Sequence, residues 1–293
     1  MLSVMVLLAS QMLMISDRGE FWDANVVSKQ TEINYVDSEG VVDPSKQGMD
    51  RLKGKKVLVL IHGFNNSKAD VLSAYFMTKE QIDRCCVSSK GDIYDEIIGY
   101  VWPGCQSRLD FYKAEEHAKK VSGRVTELLT QMTATADQVD VMAHSMGNFL
   151  FLEALNKSSK LNGVTNFFSL GAAVDDASIE KGGIYGAALK RCRDVYIAYS
   201  SEDDVLKYLY TLAEFGRALG SVGVPDISQL PSRVQLVNCT DVVAGHSDYS
   251  QSPQLYTFLR DRLLGIAPLP ENAKSVKLFA DNRVLVVVPA VSN

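Results

Sequence analysis

The stretch QVDVMAHSMGNFLFLEAL, Gln138 to Leu155, decides the fold. It runs from a strand at Val139 to Met142, through a tight turn around Ser145, into a helix that begins at Met146. Similar alternations lie on both sides of it. Upstream, KKVLVLIHGF (Lys55 to Phe64) is a β-branched and leucine run stopped by Gly63, and it reads as a buried strand. A helix follows over Lys68 to Asp83, and IIGYVWPG (Ile97 to Gly104) is the next strand, closed by Pro103 and Gly104. From Leu109 to Met132, Ala114, Ala118, Val121, Val125 and Leu128 recur at the three- and four-residue steps of an amphipathic helix. Downstream, strands are expected at Val164 to Leu170, Val195 to Tyr199 and Val234 to Val237, with helical stretches after the second and over Pro253 to Leu264. The alternation predicts an α/β chain, with a mostly parallel central sheet and helices on both faces.

Length and composition narrow the rest. At 293 residues the chain can bury a full core, and with no repeat or Pro-rich linker it reads as one domain over 1–293. The tail over 269–293, with Asp281 and Asn282 between two apolar runs, suggests an appended β-hairpin. Gly40 to Gly48 reads as a surface loop. A hydrophobic share of 46% against 22% charged excludes a disordered chain. The net charge of −5 and the lack of a basic stripe argue against a nucleic-acid partner. Five cysteines, with no CxxC and no His at zinc-finger spacing, argue against a metal site and read as structural thiols. The apolar start, MLSVMVLLASQMLMIS, lacks a basic n-region and falls short of a spanning helix, so a buried element and a cytoplasmic location are expected, with no stable membrane insertion. Oligomeric state is not readable.

The chemistry sits in the turns. Ala143-His144-Ser145-Met146-Gly147 fits a nucleophile elbow, in which small neighbours let a strained serine project its Oγ above the sheet. Ala143 stands where Gly is usual, adding only a methyl. His62-Gly63-Phe64-Asn65, after the strand Val57 to Ile61, stands where a second oxyanion donor is needed, which assigns the donors to the Phe64 and Met146 N–H groups.

A serine nucleophile needs a base and a carboxylate to orient that base. Of four histidines, His62 and His144 lie inside the turn motifs, where local hydrogen bonding is expected, and His117 lies in the charged run EEHAKK, where it should be solvated. His246, in AGHSDY after the last strand of the repeating pattern, remains as the base. Asp203 and Asp204 follow the strand in DVYIAYSSEDDVL; Asp203 is the preferred acid, and Asp204 the alternative, with a helix-capping role open to either. Asp175 and Asp176 would line the pocket instead. Lys79 to Asp92 and Ile179 to Arg193 are candidate lids, while Met12, Met14, Met132 and Met142 read as core fillers.

Taken together, VLVLIHGFNNS, YVWPG, VDVMAHSMGNFL, LGAAVDDASI and the acid and His loops resemble a bacterial group of α/β-hydrolase-fold proteins of largely unassigned function. The resemblance spans Leu13 to Leu264 and includes Ala143, but not the apolar start or the tail. It implies an α/β-hydrolase fold, esterase or lipase-like activity and no cofactor, with Ser145, an acid near Asp203 and His246 on the triad positions. A small-molecule ester or acyl compound is then the expected partner. Acyl transfer, thioester or amide cleavage, and a non-catalytic binding role on the same fold are the alternatives.

Overall fold

The computed structural model describes residues 11–44, 49–88, 91–158, 161–266, 276–278 and 284–287. The described residues begin with β1 (Met12–Gly19), β2 (Asp23–Val36) and β3 (Val42–Pro44). Next come β4 (Lys56–Ile61), α1 (Lys68–Cys85), a small ribbon of β5 (Val87–Ser88) and β6 (Gly91–Asp92), and β7 (Glu96–Val101). The middle is α2 (Phe111–Thr135), β8 (Gln138–His144), α3 (Met146–Lys157), β9 (Val164–Leu170) and β10 (Cys192–Tyr199). Two short helices, α4 (Thr211–Glu214) and α5 (Leu219–Val222), lead to β11 (Val234–Asn238), α6 (Pro253–Leu263), β12 (Val276–Leu278) and β13 (Val284–Val287).

Eleven of these strands form one sheet in the order β12-β13-β11-β10-β9-β8-β4-β7-β1-β2-β3. Every pairing from β13 across to β1 is parallel, and only the β1–β2, β2–β3 and β12–β13 pairs at the two edges are antiparallel. The inner strands are covered on both faces, which is why they read as continuous apolar runs. Along β4, Val57, Val59 and Ile61 join the core layer under α2 and α3, while Leu58 and Leu60 join the layer under α1 and α6. Period-two alternation of the strand thus divides one apolar run between two cores.

The helices carry their own start signals. In α1, Ser67 and Asp70 form a capping box, and α6 begins with a Ser252 cap and Pro253 in its first turn. Along α2 the apolar stripe is buried as its spacing requires, but His117 is buried with it rather than solvated. Its Nδ1–H donates to the Pro103 carbonyl at 2.8 Å, and that local bond satisfies the ring within the core.

Part of the apolar start is a core strand, since Met12 to Ile15 in β1 are at most 2% exposed; the first ten residues lie outside the described residues. In the tail, β12 and β13 pair antiparallel, and they extend the main sheet rather than standing apart from it, because β13 pairs in parallel with β11. Its expected turn at Asp281 and Asn282 lies outside the described residues. Within the expected Gly40 to Gly48 loop, Val42–Pro44 is an edge strand, and residues 45–48 lie outside the described residues. All five cysteines are free thiols. Among the described residues no helix is long and apolar enough to cross a membrane.

One buried carboxylate holds the strand that carries the elbow. The β8–β9 register slips between Val139 and Val141, leaving the Asn166 N–H beside the Asp140 side chain. Asp140 Oδ1 accepts that N–H at 2.9 Å, Oδ2 accepts the Tyr94 hydroxyl at 2.7 Å, and the Asn166 side-chain amide donates to both oxygens at 3.0 Å. Burial pushes the Asp140 carboxyl above its ordinary range, while these donors pull it back. Asp140→Ala leaves several buried donors without a partner and is expected to lower stability by about 3 kcal/mol. The chemical-denaturation midpoint measures this, and an unchanged midpoint would show that the bulge holds itself.

Candidate active site

At the junction of β8 and α3, Ser145 has φ 55° and ψ −127°, a conformation that a side chain disfavours. The surrounding backbone holds it there. Its N–H donates to the Leu170 carbonyl at 3.0 Å, and its carbonyl accepts the Asn148 N–H at 3.0 Å and the Ala173 N–H at 3.3 Å. The Asn148 side-chain amide bridges the Ala143, Ser145 and Leu170 carbonyls at 3.0–3.2 Å, bracing both limbs of the turn. A Cβ on Gly147 would stand 2.5 Å from the His62 carbonyl oxygen and 2.7 Å from that of Ile61, so only glycine lets α3 start this close to β4. Ala143, by contrast, is fully buried with room for its methyl.

The structure brings three of the expected side chains into one line. His246 Nε2 lies 2.8 Å from Ser145 Oγ, and His246 Nδ1 lies 2.8 Å from Asp203 Oδ2. A carboxylate only accepts, so Nδ1 carries the proton and Nε2 is left to accept from the serine hydroxyl. Asp203 is fully buried, and its other oxygen accepts the Leu206 N–H at 3.1 Å. Asp204 is exposed at the start of the π-helical turn Val205–Tyr210 and makes no capping bond there. Geometry therefore separates two neighbours that share one sequence context.

His144 does more than bond within its own turn. Its Nε2–H donates to the His246 carbonyl at 2.8 Å, and the two rings sit 4.6 Å apart, so the elbow also positions the loop that bears His246. Burial, with the neighbouring His246 acting in the same direction, pulls the His144 pKa down to about 3 and keeps the ring neutral.

The His62-Gly63-Phe64 turn closes over the serine. A Cβ on Gly63 would lie 2.8 Å from Ser145 Cβ and 3.3 Å from its Oγ, which explains the glycine. Phe64 and Met146 thus flank Ser145 from the turn after β4 and from the first residue of α3, where a helix leaves backbone N–H groups without intrahelical partners. The Phe64 ring packs edge-on against Phe111 at 5.7 Å.

A cavity of about 550 Å³ opens at these residues. Among the described residues neither expected lid lines it; Val205 and Leu209 of the π-helical turn and Arg108 ahead of α2 do so instead. The expected lids are spent elsewhere: Lys79 to Cys85 completes α1, and Tyr185, in the second, donates to Glu153 on α3 at 2.8 Å. Asp175 and Asp176 do not line the cavity either, since Asp175 bridges to Ala218 and Asp176 pairs with Arg217 at 2.8 Å. Met142 is buried as a core filler and also touches the cavity wall. Asn148 and the π-helical wall were not singled out from sequence, although the Asn directly after HSMG was a readable signal for the brace. Among the described residues no group of three or more His, Cys, Asp or Glu side chains is arranged to hold a metal ion.

Several solved structures are similar to this one. The Pyrococcus furiosus esterase Pf2001 shares 10% identity over 80% of this chain and 85% of its own, with a TM-score of 0.44. Aspergillus fumigatus lipase B shares 15% over 75% of this chain and 55% of its own, with a TM-score of 0.45. A 2,6-dihydroxy-pseudo-oxynicotine hydrolase shares 13% over 82% of this chain, which spans 66% of the hydrolase's length, with a TM-score of 0.40. A search of curated proteins gave no match. The sequence model of a family of alpha/beta hydrolases of unknown function, DUF900, matches residues 45–262, and the chain belongs to that family.

Proposed function

We propose that this protein is a serine hydrolase that cleaves a small carboxylic ester. The observation that supports it is the unbroken hydrogen-bonded line from buried Asp203 through His246 to Ser145, 2.8 Å at each step. As Ser145 Oγ attacks the carbonyl carbon, its proton passes to His246 Nε2 and the carbonyl pair becomes an oxyanion. The Phe64 and Met146 N–H groups receive that charge, each such donor contributing about 3 kcal/mol in comparable sites. The tetrahedral adduct collapses, the alcohol leaves with the proton from His246, and an acyl-serine remains. Water then attacks the acyl carbon with His246 again as base, releasing the acid and restoring the serine. Asp203 keeps the imidazole in the required tautomer and stabilises its charged form.

No step of this reaction calls for a cofactor or metal. The cavity wall at Met142, Val205 and Leu209 favours a substrate with an apolar part beside its ester. Five free thiols suit a reducing compartment, which makes the cytoplasm the location this reading takes.

Ser145→Ala is expected to abolish hydrolysis of a simple p-nitrophenyl ester without altering the circular dichroism spectrum. Wild-type protein is expected to take a fluorophosphonate on Ser145, mapped by mass spectrometry, and His246→Ala to prevent labelling; full activity in Ser145→Ala would refute the assignment. The two acids should behave differently as well. Asp203→Asn is expected to lower kcat on the order of ten-thousand-fold, because the amide favours the wrong imidazole tautomer. Asp204→Asn should stay within about two-fold of wild type, as an exposed side chain with no capping bond. Equal losses in the two variants would reject Asp203 as the orienting acid.

A further inference from the structure

Arg18 stands near the end of β1, outside the stretch that the family model matches, and it is fully buried. Burying a guanidinium is costly unless its donors are satisfied. Burial pulls its pKa down to about 10, which leaves it charged at neutral pH. Its hydrogen bonds go to neutral acceptors around the turn that closes over Ser145. Nε donates to the Trp102 carbonyl at 2.8 Å, and Nη2 donates to the Asn66 carbonyl at 3.0 Å and to His62 Nε2 at 3.3 Å.

The bond to His62, together with one from Trp102, decides where the proton on His62 resides. The Trp102 backbone N–H also donates to His62 Nε2, at 3.2 Å. With two donors aimed at Nε2, that nitrogen can only accept, so the proton sits on Nδ1. Nδ1–H in turn donates to the Gly63 carbonyl at 2.7 Å. In a planar trans peptide the carbonyl and the next N–H point in opposite directions. Drawing Gly63 O toward His62 therefore fixes the direction of the Phe64 N–H. In the other tautomer a bare Nδ1 would face the carbonyl lone pairs at the same distance, and the peptide would have to turn.

Other contacts fix the place of His62 but not its tautomer. Its N–H donates to the Tyr75 hydroxyl at 3.0 Å, its carbonyl accepts the Trp102 indole N–H at 2.7 Å, and its ring stacks on that indole at 5.7 Å. The ring is held neutral by burial first and then by the Arg18 charge, with His144 adding a smaller push in the same direction. We infer that Arg18 is a positioning residue for ester hydrolysis: by donating to His62 Nε2 beside the Trp102 N–H, it reinforces the tautomer whose Nδ1–H orients the Gly63–Phe64 peptide as an oxyanion donor. The inference rests on the reading of Ser145 as the nucleophile.

Two measurements test it. In wild-type protein labelled with ¹⁵N-histidine, His62 is expected to show the Nδ1–H tautomer, whatever the activity. Arg18→Gln is expected to shift that signature and to lower kcat for a p-nitrophenyl ester about 10- to 100-fold, while KM stays within about three-fold, because a displaced oxyanion donor acts on the transition state. Arg18→Lys, which keeps the charge but not the fork, is expected to fall between Gln and wild type. An Nε2–H tautomer in wild-type protein, or a folded Arg18→Gln with wild-type kcat, would overturn the inference and leave the nucleophile standing. Failure of both variants to fold would also overturn it, reducing Arg18 to a core residue. A wild type inert toward esters despite the Nδ1–H tautomer would instead bring down the reading of Ser145, and the catalytic meaning of Arg18 with it.

Discussion

A serine at φ 55° is the constraint around which the rest of this fold is arranged. Such a backbone costs on the order of 1–3 kcal/mol and persists only where its surroundings leave no alternative. Here they come from several directions. Leu170 on β9 and Ala173 beyond it bond the backbone of Ser145, Asn148 ties three carbonyls of the turn together, and Gly147 lets the helix close on β4. Each depends on β8 lying between β4 and β9 in fixed register, and that register includes the slip stabilised by Asp140. The strain at the serine is thus offset by the middle of the sheet, not by the turn itself.

Parallel strand order explains why residues scattered along the chain meet. His62 follows β4, Trp102 follows β7, Ser145 follows β8, Asp203 follows β10 and His246 follows β11. All leave the carboxyl ends of strands that run in one direction, so the topology delivers their loops to one edge of the sheet. The antiparallel flank adds a component from the opposite end of the sequence order. β1 runs parallel to β7, so its last residues, Arg18 included, reach the same edge and meet the His62 turn.

Sequence reading recovered what is encoded locally. The buried strands announce themselves as β-branched runs, and the elbow is a contiguous string whose glycine and serine have no other common use. The order of Ser145, Asp203 and His246 is the one that the α/β-hydrolase resemblance implies. What escaped depends on long-range pairing. The charge pattern of EEHAKK gives no sign that His117 faces inward to the Pro103 carbonyl. β2 alternates weakly because much of it is exposed, so its pairing with β1 was not legible. Asp140 reads as a polar break in a strand until Asn166, brought beside it by β9, supplies the donors. The cavity wall at Val205 and Leu209 is a π-helical turn, whose spacing matches neither of the periods used to read a sequence.

Three imidazoles crowd this edge, and burial sorts them. A general base must take up a proton during the reaction, so its surroundings have to tolerate a cation. Desolvation holds His62 well below its ordinary range, with the Arg18 charge beside it acting in the same sense. His144, half-buried against His246, is pulled down to about 3 by desolvation first. Both are therefore fixed neutral donors, one to the Gly63 carbonyl and one to the His246 carbonyl. Only His246 faces a buried carboxylate, at 2.8 Å, so only there does the protein supply a countercharge for an imidazolium. The two neutral rings still act on the proposed reaction, because each orients a backbone segment that the charge-bearing groups need: His62 the peptide that presents the Phe64 N–H, and His144 the loop that presents His246.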